Sequence, residues 1–284
     1  MIRYVTPLHF HGNAKLPPTT TADLARTLTA AGMLLLSALA SAQTIESPSQ
    51  SKPAAGGVVG IGIASLPEYR GADHNRIRAV PLLEYHWANG MFVGGDNDAV
   101  IGYQISSAPG LQYGVALSAD EGRKERRSKV LSGMGDIATR AIFLGFAKGA
   151  ITDHLSVSSS VHVGAGDDSK GALLKLGAAY AIPLSPSAQL NFNLGATLAN
   201  ASYMQSFYGV SATQAATSGY RVYTPSGGVH DATVGMRLSY QIDRDWSLLA
   251  GWSNSTLSSN AKDSPLVRKS SGQKVVIGAA YSLK

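Results

Sequence analysis

The chain has 284 residues, a formal net charge of +6 at pH 7, 31 glycines and no cysteine, and only 15% of its residues are charged. The missing cysteines exclude disulfide frameworks and thiolate metal sites. The basic residues are scattered except in one loop, which gives little support to nucleic-acid binding, and the ample aliphatic content argues against disorder over most of the chain.

The N-terminus carries the pattern of a secretory signal peptide. Arg26 precedes an apolar run over residues 27–40. A membrane anchor is the alternative, but the run is shorter than the roughly 20 residues that span a bilayer. Because small residues occupy the −3 and −1 positions of a cleavage site, we expect cleavage between Ala42 and Gln43.

The rest of the chain divides into a leader and one folded domain. Residues 1–42 are assigned to the signal peptide, and residues 43–56, rich in Ser, Pro, Ala and Gln, to a flexible periplasmic leader. Residues 57–284 contain no stretch of 18 apolar residues, so no transmembrane helix is expected there. An exported chain of this kind is periplasmic, secreted or a membrane β-barrel.

Segment after segment alternates apolar and small polar residues at period two. In Leu111–Asp120, for example, the odd positions hold Leu, Tyr, Val, Leu and Ala, whereas the even positions hold Gln, Gly, Ala, Ser and Asp. Successive strand side chains point to opposite faces, so each such segment has one apolar and one polar face. The same pattern recurs in His154–Val163, Gln189–Ala199, Asp231–Ile242 and Lys274–Leu283.

The length of these segments separates a membrane barrel from a soluble one. Each has 10–12 residues, whereas a tilted membrane strand needs about 9–11 and a soluble strand has a mode near 5–6. A soluble β-sandwich or lipocalin-like barrel is the alternative, with its apolar face inward. Strand length and the Gly, Ser, Asn and Thr of the polar face favour an antiparallel outer-membrane β-barrel, with the apolar face toward lipid and the polar face toward the lumen.

Connection lengths alternate as they do in bacterial barrels, which have short periplasmic turns and longer outer loops. With the C-terminus in the periplasm, the short connections fall on one side and the long ones on the other. The short ones are 107–110, 147–153, 183–188 and 243–245; the long ones are 121–135, 200–230 and 258–272. The parity requires four N-terminal strands, over 57–65, 76–87, 90–94 and 99–106. About twelve strands are therefore predicted, with ten as the alternative because 90–94 is too short to span.

Three polar residues of one predicted strand raise the question of hydrolysis. His154, Ser160 and His162 share a polar face, and a Ser–His pair is the core of many hydrolytic sites. No acidic residue that would orient a histidine is identifiable beside them, and the chain has no Gly-x-Ser-x-Gly motif. An ordinary polar lumen wall is the favoured interpretation, so no catalytic residue and no enzymatic activity are predicted.

Metal and cofactor sites are not expected either. The histidines of the mature chain form no tight ligand pair. The segment Gly164–Asp168 superficially resembles a cation loop, but it lacks the ligand spacing and the closing Glu of a calcium loop, so a polar turn is expected.

One predicted outer loop is strongly basic. Its cations are diluted by Glu121 and Glu125, and they are Arg123, Lys124, Arg126, Arg127 and Lys129. Such a loop is either solvated or in contact with lipopolysaccharide phosphates, which arginine binds bidentately.

Several short strings follow one another along the chain: Leu66–Ala72, Ala79–Tyr85, Leu131–Asp136, Ser206–Ser211, Ser218–Tyr220, Gly227–Gly228 and Asp263–Val267. In this order they resemble the family of outer-membrane proteins that contains MipA, the MltA-interacting protein, and OmpV. The resemblance covers nearly all of residues 57–284.

The resemblance implies an outer-membrane barrel with no agreed catalytic residues. The motif residues are expected in loops or at strand ends, where their roles would be turn geometry and loop packing, with glycine permitting positive φ. They are Pro67, Tyr69, Gly71, Phe207, Tyr208, Gly209, Ser264 and Pro265.

Three functions stay open at this point. For MipA-like members the resemblance implies a scaffold that joins a murein lytic transglycosylase to a murein synthase. OmpV-like members are associated with antigenicity, adhesion and osmotic response, and the long outer loops fit a surface receptor, adhesin or pore. A lumenal hydrolase built on Ser160 is the third hypothesis.

Overall fold

The computed structural model describes residues 55–94, 100–108, 110–164 and 171–283. These residues form a closed antiparallel barrel of twelve strands, in which each strand pairs with its neighbour in sequence and β1 pairs with β12. The strands are β1 (Gly56–Pro67), β2 (Asn75–His86), β3 (Met91–Gly94), β4 (Val100–Ala108), β5 (Leu111–Asp120), β6 (Arg140–Ala150), β7 (Leu155–Gly164), β8 (Ala172–Ser185), β9 (Ala188–Ala199), β10 (Gly228–Gln241), β11 (Trp246–Leu257) and β12 (Ser271–Leu283).

The apolar face of the strands points outward, as the alternation predicts. On β1, Ile61 and Ile63 are 66% and 64% exposed, whereas Gly62 and Ala64 between and beside them are buried in the barrel interior. A β-barrel closes its own backbone hydrogen bonds, so an exposed apolar belt is stable where the solvent is hydrocarbon. The prediction of an all-β, twelve-strand membrane barrel is confirmed, and the alternative count of ten is wrong.

The connections also follow the predicted parity. The short connections predicted between β4 and β5, β6 and β7, β8 and β9, and β10 and β11 share one end of the barrel. The turn predicted over 183–188 is shorter than expected, since β8 continues to Ser185 through an irregular pairing after Pro183. The long connections, over residues 121–139, 200–227 and 258–270, share the other end, which is called the outer end below.

The long connections contain helices that the sequence patterns did not predict. Helix α1 spans Ala201–Tyr208, α2 spans Ala212–Ser218 and α3 spans Ser259–Lys262. Two single 3-10 turns, Glu125–Arg127 and Lys129–Leu131, lie in the connection between β5 and β6. In the part of the chain that the structure describes, no helix is both long and apolar enough to cross a membrane.

Strand β3 is as short as the sequence predicts, and it is held from inside the barrel. Among the described residues it pairs with β2 at three positions. Its Phe92 side chain is buried and lies flat against Gly102 of β4, where any larger residue would collide with the ring. His86 stacks on the same ring at 5.5 Å, and Phe146 of β6 meets it edge-on at 5.6 Å. The lumen face is therefore apolar along this part of the wall, where the alternation alone predicts a polar one.

Aromatic residues lie near the short-turn end of several strands, as expected of an interfacial girdle. Trp246 and Tyr281 are exposed neighbours on β11 and β12 and meet at 5.4 Å in an edge-to-face arrangement.

At the N-terminal side, β1 begins at Gly56, which the sequence assigns to the leader. The predicted signal peptide, its cleavage site at Ala42 and Gln43, and the leader through residue 54 lie outside the described residues.

Candidate functional site

Helix α1 lies across the outer mouth of the barrel. Asn200 caps its first turn, because the Asn200 side chain accepts a hydrogen bond from the Tyr203 amide at 2.9 Å. The buried side chains of the helix pack against inward-facing residues at the outer ends of β8, β9 and β11. This cluster consists of Tyr203, Met204, Phe207, Tyr208, Ala199, Leu257 and Ala261, with Leu173 beside it.

The opposite side of the mouth holds the same helix through Phe207. The guanidinium carbon of Arg140, the first residue of β6, lies 5.7 Å from the centre of the Phe207 ring. Arg70, from the connection between β1 and β2, lies 5.4 Å from it. Arg123, from the connection between β5 and β6, donates from Nη1 to the Phe207 carbonyl at 3.0 Å. Contacts on both sides therefore fix α1 as a bar across the mouth.

The outer connections pack together around this helix. The cap, as we call it, comprises residues 68–74, 121–139, 200–227 and 258–270. Gln214 donates to the Met134 carbonyl at 2.7 Å, and Thr217 donates to the Gly133 carbonyl at 2.8 Å. A second buried cluster of Met134, Val210 and Leu266 lies within it. The cap therefore has a core of its own, although its parts are far apart in sequence.

A buried chain of polar groups connects the cap to the barrel wall. The Tyr208 hydroxyl and Nε2 of His230 are hydrogen-bonded at 2.8 Å, and Nδ1 of His230 is hydrogen-bonded to the Asp231 carboxylate. The Thr233 hydroxyl donates to the other Asp231 oxygen at 3.2 Å. Tyr208 is 1% exposed, and burial raises the pKa of its hydroxyl above the ordinary value. A hydroxyl so buried cannot meet a substrate, so these groups act as a latch between α1 and β10.

The motif residues that resemble the family converge in this cap. The Tyr69 hydroxyl donates to the Leu266 carbonyl at 3.1 Å, and burial raises the pKa of Tyr69 to about 12, so it stays a donor at neutral pH. Ser264 donates from Oγ to the Tyr208 carbonyl at 2.6 Å. Pro265 is half-buried, and Pro67, the last residue of β1, lies against Gly272 of β12.

The two motif glycines serve different purposes. Gly71 has a φ of +96°, and a Cβ added there would lie 2.7 Å from Cγ2 of Val267. Its carbonyl accepts hydrogen bonds from the amides of Arg268 and Lys269. Gly209 has a φ of −73°, so the expected positive φ is wrong there. Glycine is required at that position because a Cβ would collide with the Gln205 carbonyl one turn earlier.

Turn geometry therefore does not account for all the motif residues. Phe207 and Tyr208 lie in helix α1, and their roles are to fill the mouth and to latch it. Both residues lie in the connection between β9 and β10, where a loop is predicted, but they lie within a helix of that connection. The sequence does contain a helix-start motif for the neighbouring helix α2, because Ser211 and Gln214 form a capping box at its N-terminus.

The structure brings together two of the three residues considered for hydrolysis. Ser160 Oγ and His162 Nε2 are 2.9 Å apart on the lumen face of β7. His154 lies at the other end of that strand, near Tyr180. Both neighbours of β7 pair with it at Ser160, so the surrounding amides belong to the sheet and are not arranged as an oxyanion hole.

The predicted basic loop is only partly exposed. Arg123 is 5% exposed and faces the cap interior. Lys124 pairs with Asp136 at 3.1 Å. Arg126 and Lys129 are exposed. Two cations of the loop are therefore free to meet an external anion such as a lipopolysaccharide phosphate, whereas two others are engaged within the protein.

No three His, Cys, Asp or Glu side chains of the described residues come together as a metal site. The polar turn expected at Gly164–Asp168 lies, beyond Gly164, outside the described residues.

Sequence comparison identifies the family. The chain matches the family model described as MltA-interacting protein MipA over residues 59–283, which is most of its length. The chain belongs to the MipA family. This confirms the resemblance that the short strings indicate, and with it an outer-membrane barrel. No curated protein sequence matches this MipA-family chain.

Solved structures that resemble this MipA-family barrel have low sequence identity to it. They include the KdgM porin, with 13% identity, coverage of 79% of this chain and 98% of the porin, and a TM-score of 0.44. The NanC porin has 9% identity, coverage of 78% and 98%, and a TM-score of 0.48. The outer membrane channel DcaP of Acinetobacter baumannii has 12% identity, coverage of 84% and 100%, and a TM-score of 0.37. Identities this low bear on the fold alone.

Proposed function

We propose that this MipA-family barrel is a non-enzymatic scaffold whose working face is periplasmic, where it holds a murein lytic transglycosylase and a murein synthase. The observation that carries the proposal is the cap. Helix α1 bars the outer mouth through Phe207 and Tyr208, so the barrel is not a plain open pore. The family description, MltA-interacting protein, supports a partner of the transglycosylase class.

The periplasmic rim offers the docking surface in this proposal. A depression of about 530 Å³ lies at the ends of β8 to β12. Its lining is mostly uncharged hydroxyl and amide side chains, and it includes Ser185, Ser187, Gln189, Ser239, Gln241, Ser247 and Ser282. The turns around it are too short to bury the roughly 800 Å² per partner of a standard interface. The leader over residues 43–56 is therefore proposed to add to the contact.

Site-specific crosslinking in cells tests the scaffold. A photo-crosslinking residue in place of Ser187, exposed in a periplasmic turn, is expected to capture a murein enzyme. The same residue in place of Thr213, exposed on the cap, is the matched control and is expected to capture none. If the five periplasmic turns and the leader all fail to capture a transglycosylase or a synthase, the scaffold proposal is wrong.

Export is proposed to use a signal peptide cleaved after Ala42. N-terminal sequencing of the protein from an outer-membrane fraction is expected to begin at Gln43. A mature protein that retains residues 27–40 would instead indicate a membrane anchor.

A surface receptor, adhesin or pore is the second candidate. The observation that favours it is the exposed outer surface of the cap, where Arg126 and Lys129 are available to lipopolysaccharide phosphates. Deletion of residues 200–227 should then abolish surface binding, or should raise conductance if the cap closes a channel. Unchanged binding and conductance would count against this candidate.

A further inference from the structure

Arginine side chains gather at the outer end of the barrel, where three contact helix α1 and two contact Glu121 in the connection between β5 and β6. Two lie on the inward face of β2, one begins β6, and two come from connections of the cap. These residues, called the arginine cluster below, are Arg70, Arg76, Arg78, Arg123 and Arg140. Three of them share contacts with Phe207, and the other two share a single carboxylate.

Among the described residues, two carboxylates form ion pairs with the cluster, those of Glu121 and Asp120. Glu121 pairs with both Arg78, at 3.3 Å, and Arg76, at 4.0 Å. Asp120 pairs with Arg140 at 3.5 Å. Arginine stays charged throughout the accessible pH range, so these contacts leave an excess of positive charge.

Arg70 and Arg123 have no carboxylate within ion-pair distance among the residues that the structure describes. Three other acidic groups around the cap are engaged elsewhere. Asp136 pairs with Lys124, the Glu125 carboxylate accepts from the amides of Gly133 and Gly135, and Asp231 is bound to His230. The excess charge of the cluster is therefore not neutralised by these neighbours.

The cluster also holds donors that no protein group satisfies. The Nε atoms of Arg76, Arg78 and Arg123 are buried without a hydrogen-bond partner in the described ranges. An unsatisfied buried donor is destabilising, and more so when it is charged. Arg123 is 5% exposed, and its burial lowers the pKa of the guanidinium. A purely structural ion-pair network would place acceptors on these atoms, since buried polar groups are as a rule hydrogen-bonded.

We propose that the arginine cluster binds an anion that carries a phosphate or carboxylate group, at the outer end of the barrel. Arginine presents paired N–H donors that match both groups bidentately. Arg76 and Arg78 are accessible in part, with side chains 32% and 39% exposed. Glu121, 60% exposed, occupies their Nη atoms and competes with the anion. The anion is either a solute in the lumen or the headgroup of an outer-membrane lipid.

Calorimetry on the full-length barrel, folded in a neutral detergent, tests this site. Inorganic phosphate is titrated at an ionic strength held constant with sodium chloride, and a short-chain phosphatidic acid is titrated in parallel with the matching phosphate-free diacylglycerol. Saturable binding of one ligand per chain is expected. Binding of inorganic phosphate identifies a solute site, and binding of the phosphatidic acid alone identifies a headgroup site.

Variants of the cluster give shifts of opposite sign. Arg76→Gln combined with Arg78→Gln is expected to raise the Kd at least tenfold. Glu121→Gln is expected to lower the Kd several-fold because it removes the competing carboxylate, and a folding defect would not produce that change. Arg244→Gln, in a periplasmic turn, is the matched control and should leave the Kd unchanged. If neither ligand binds saturably, or if the double variant and Glu121→Gln both bind like the wild type, the proposal is overturned.

Discussion

The Tyr208 hydroxyl lies 2.8 Å from Nε2 of His230, and this hydrogen bond joins helix α1 of the cap to strand β10 of the barrel wall. Both residues are buried, with Tyr208 1% and His230 4% exposed. Water therefore cannot replace either partner when the other is removed. Removal of the Tyr208 hydroxyl alone is thus expected to destabilise the cap.

Tyr208→Phe removes the hydroxyl and leaves His230 Nε2 buried without a partner. We expect a loss of about 1–3 kcal/mol in the stability of the cap, seen as faster proteolytic cleavage within residues 200–227 of the folded protein. Tyr240→Phe, on the lipid-facing side of the same strand, is the control and should cleave like the wild type. Equal cleavage rates for both variants would show that the latch does not hold the cap.

Gly71→Ala is expected to destabilise the cap through strain and collision. A left-handed backbone costs a residue with a Cβ roughly 1–2 kcal/mol, and the new Cβ would also lie 2.7 Å from Val267. Gly219→Ala has a similar φ of +75° but no atom within 4 Å, so it separates the strain from the collision. Thermal unfolding, followed by loss of compact gel mobility, should rank Gly71→Ala below Gly219→Ala. The reverse order would contradict the close approach of Val267 to Gly71.

Ile61→Lys places a charge on the lipid-facing side at the middle of β1, where Ile61 is 66% exposed. A lysine at the bilayer midplane costs roughly 2–4 kcal/mol, so the variant should fold into lipid vesicles with a correspondingly lower free energy of unfolding. Ser158→Lys, on the lumen side of β7, meets water and should change stability by much less. Equal losses for the two variants would contradict the assignment of Ile61 to the lipid-facing side and Ser158 to the lumen side.

Asp243 links stability to pH at the short turn between β10 and β11. Hydrogen bonds from the amides of Asp245, at 2.9 Å, and Trp246, at 2.8 Å, favour its ionised form and lower the pKa of the carboxyl from 3.8. Because the folded pKa is the lower one, this stabilisation is complete above the unfolded pKa and is lost as pH falls through the folded value. Asp243→Asn should be less stable than the wild type at neutral pH, with the difference shrinking below about pH 4.

The difference between Asp243→Asn and wild type is read from unfolding curves measured across this pH range. A difference that is the same at pH 3 and pH 7 would mean that the charge of Asp243 does not matter to the turn.

Ser160→Ala tests whether the Ser–His pair on β7 has any catalytic role. We expect no change in ester hydrolysis, because the amides beside Ser160 belong to the sheet and are not arranged as an oxyanion hole. Hydrolysis of a short-chain nitrophenyl ester by the purified barrel is the measurement, with the boiled protein as the background. Activity above that background in the wild type, lost in Ser160→Ala, would reinstate the hydrolase hypothesis.

The barrel is largely predictable from the sequence because each strand is indicated by a pattern of neighbouring residues. Alternation such as Ile61, Gly62 and Ile63 repeats every two residues, and strand length and loop parity add independent checks. Even the short strand β3 was indicated by the parity alone. The lumen face was predicted less well, because the packing of Phe92 on Gly102 depends on neighbouring strands and not on alternation.

The cap could not be derived in the same way. The Tyr69 hydroxyl and the Leu266 carbonyl are 197 residues apart in sequence and belong to segments without periodicity. Nothing local in Phe207 indicates that three arginines from three different segments will contact it. The family resemblance named several of the correct residues, but only the three-dimensional arrangement shows that they meet.

The distance in sequence between Tyr69 and Leu266 also constrains the order of assembly. The connection that holds Leu266 reaches the connection that holds Tyr69 only when β12 has paired with β1 along their shared seam. Contacts between residues so far apart in sequence tend to form late, because closing the loop between them costs conformational entropy. The contact between Tyr69 and Leu266 is thus expected to form late, and protease resistance of the two connections that it joins would report in a living cell that the seam between β1 and β12 has closed.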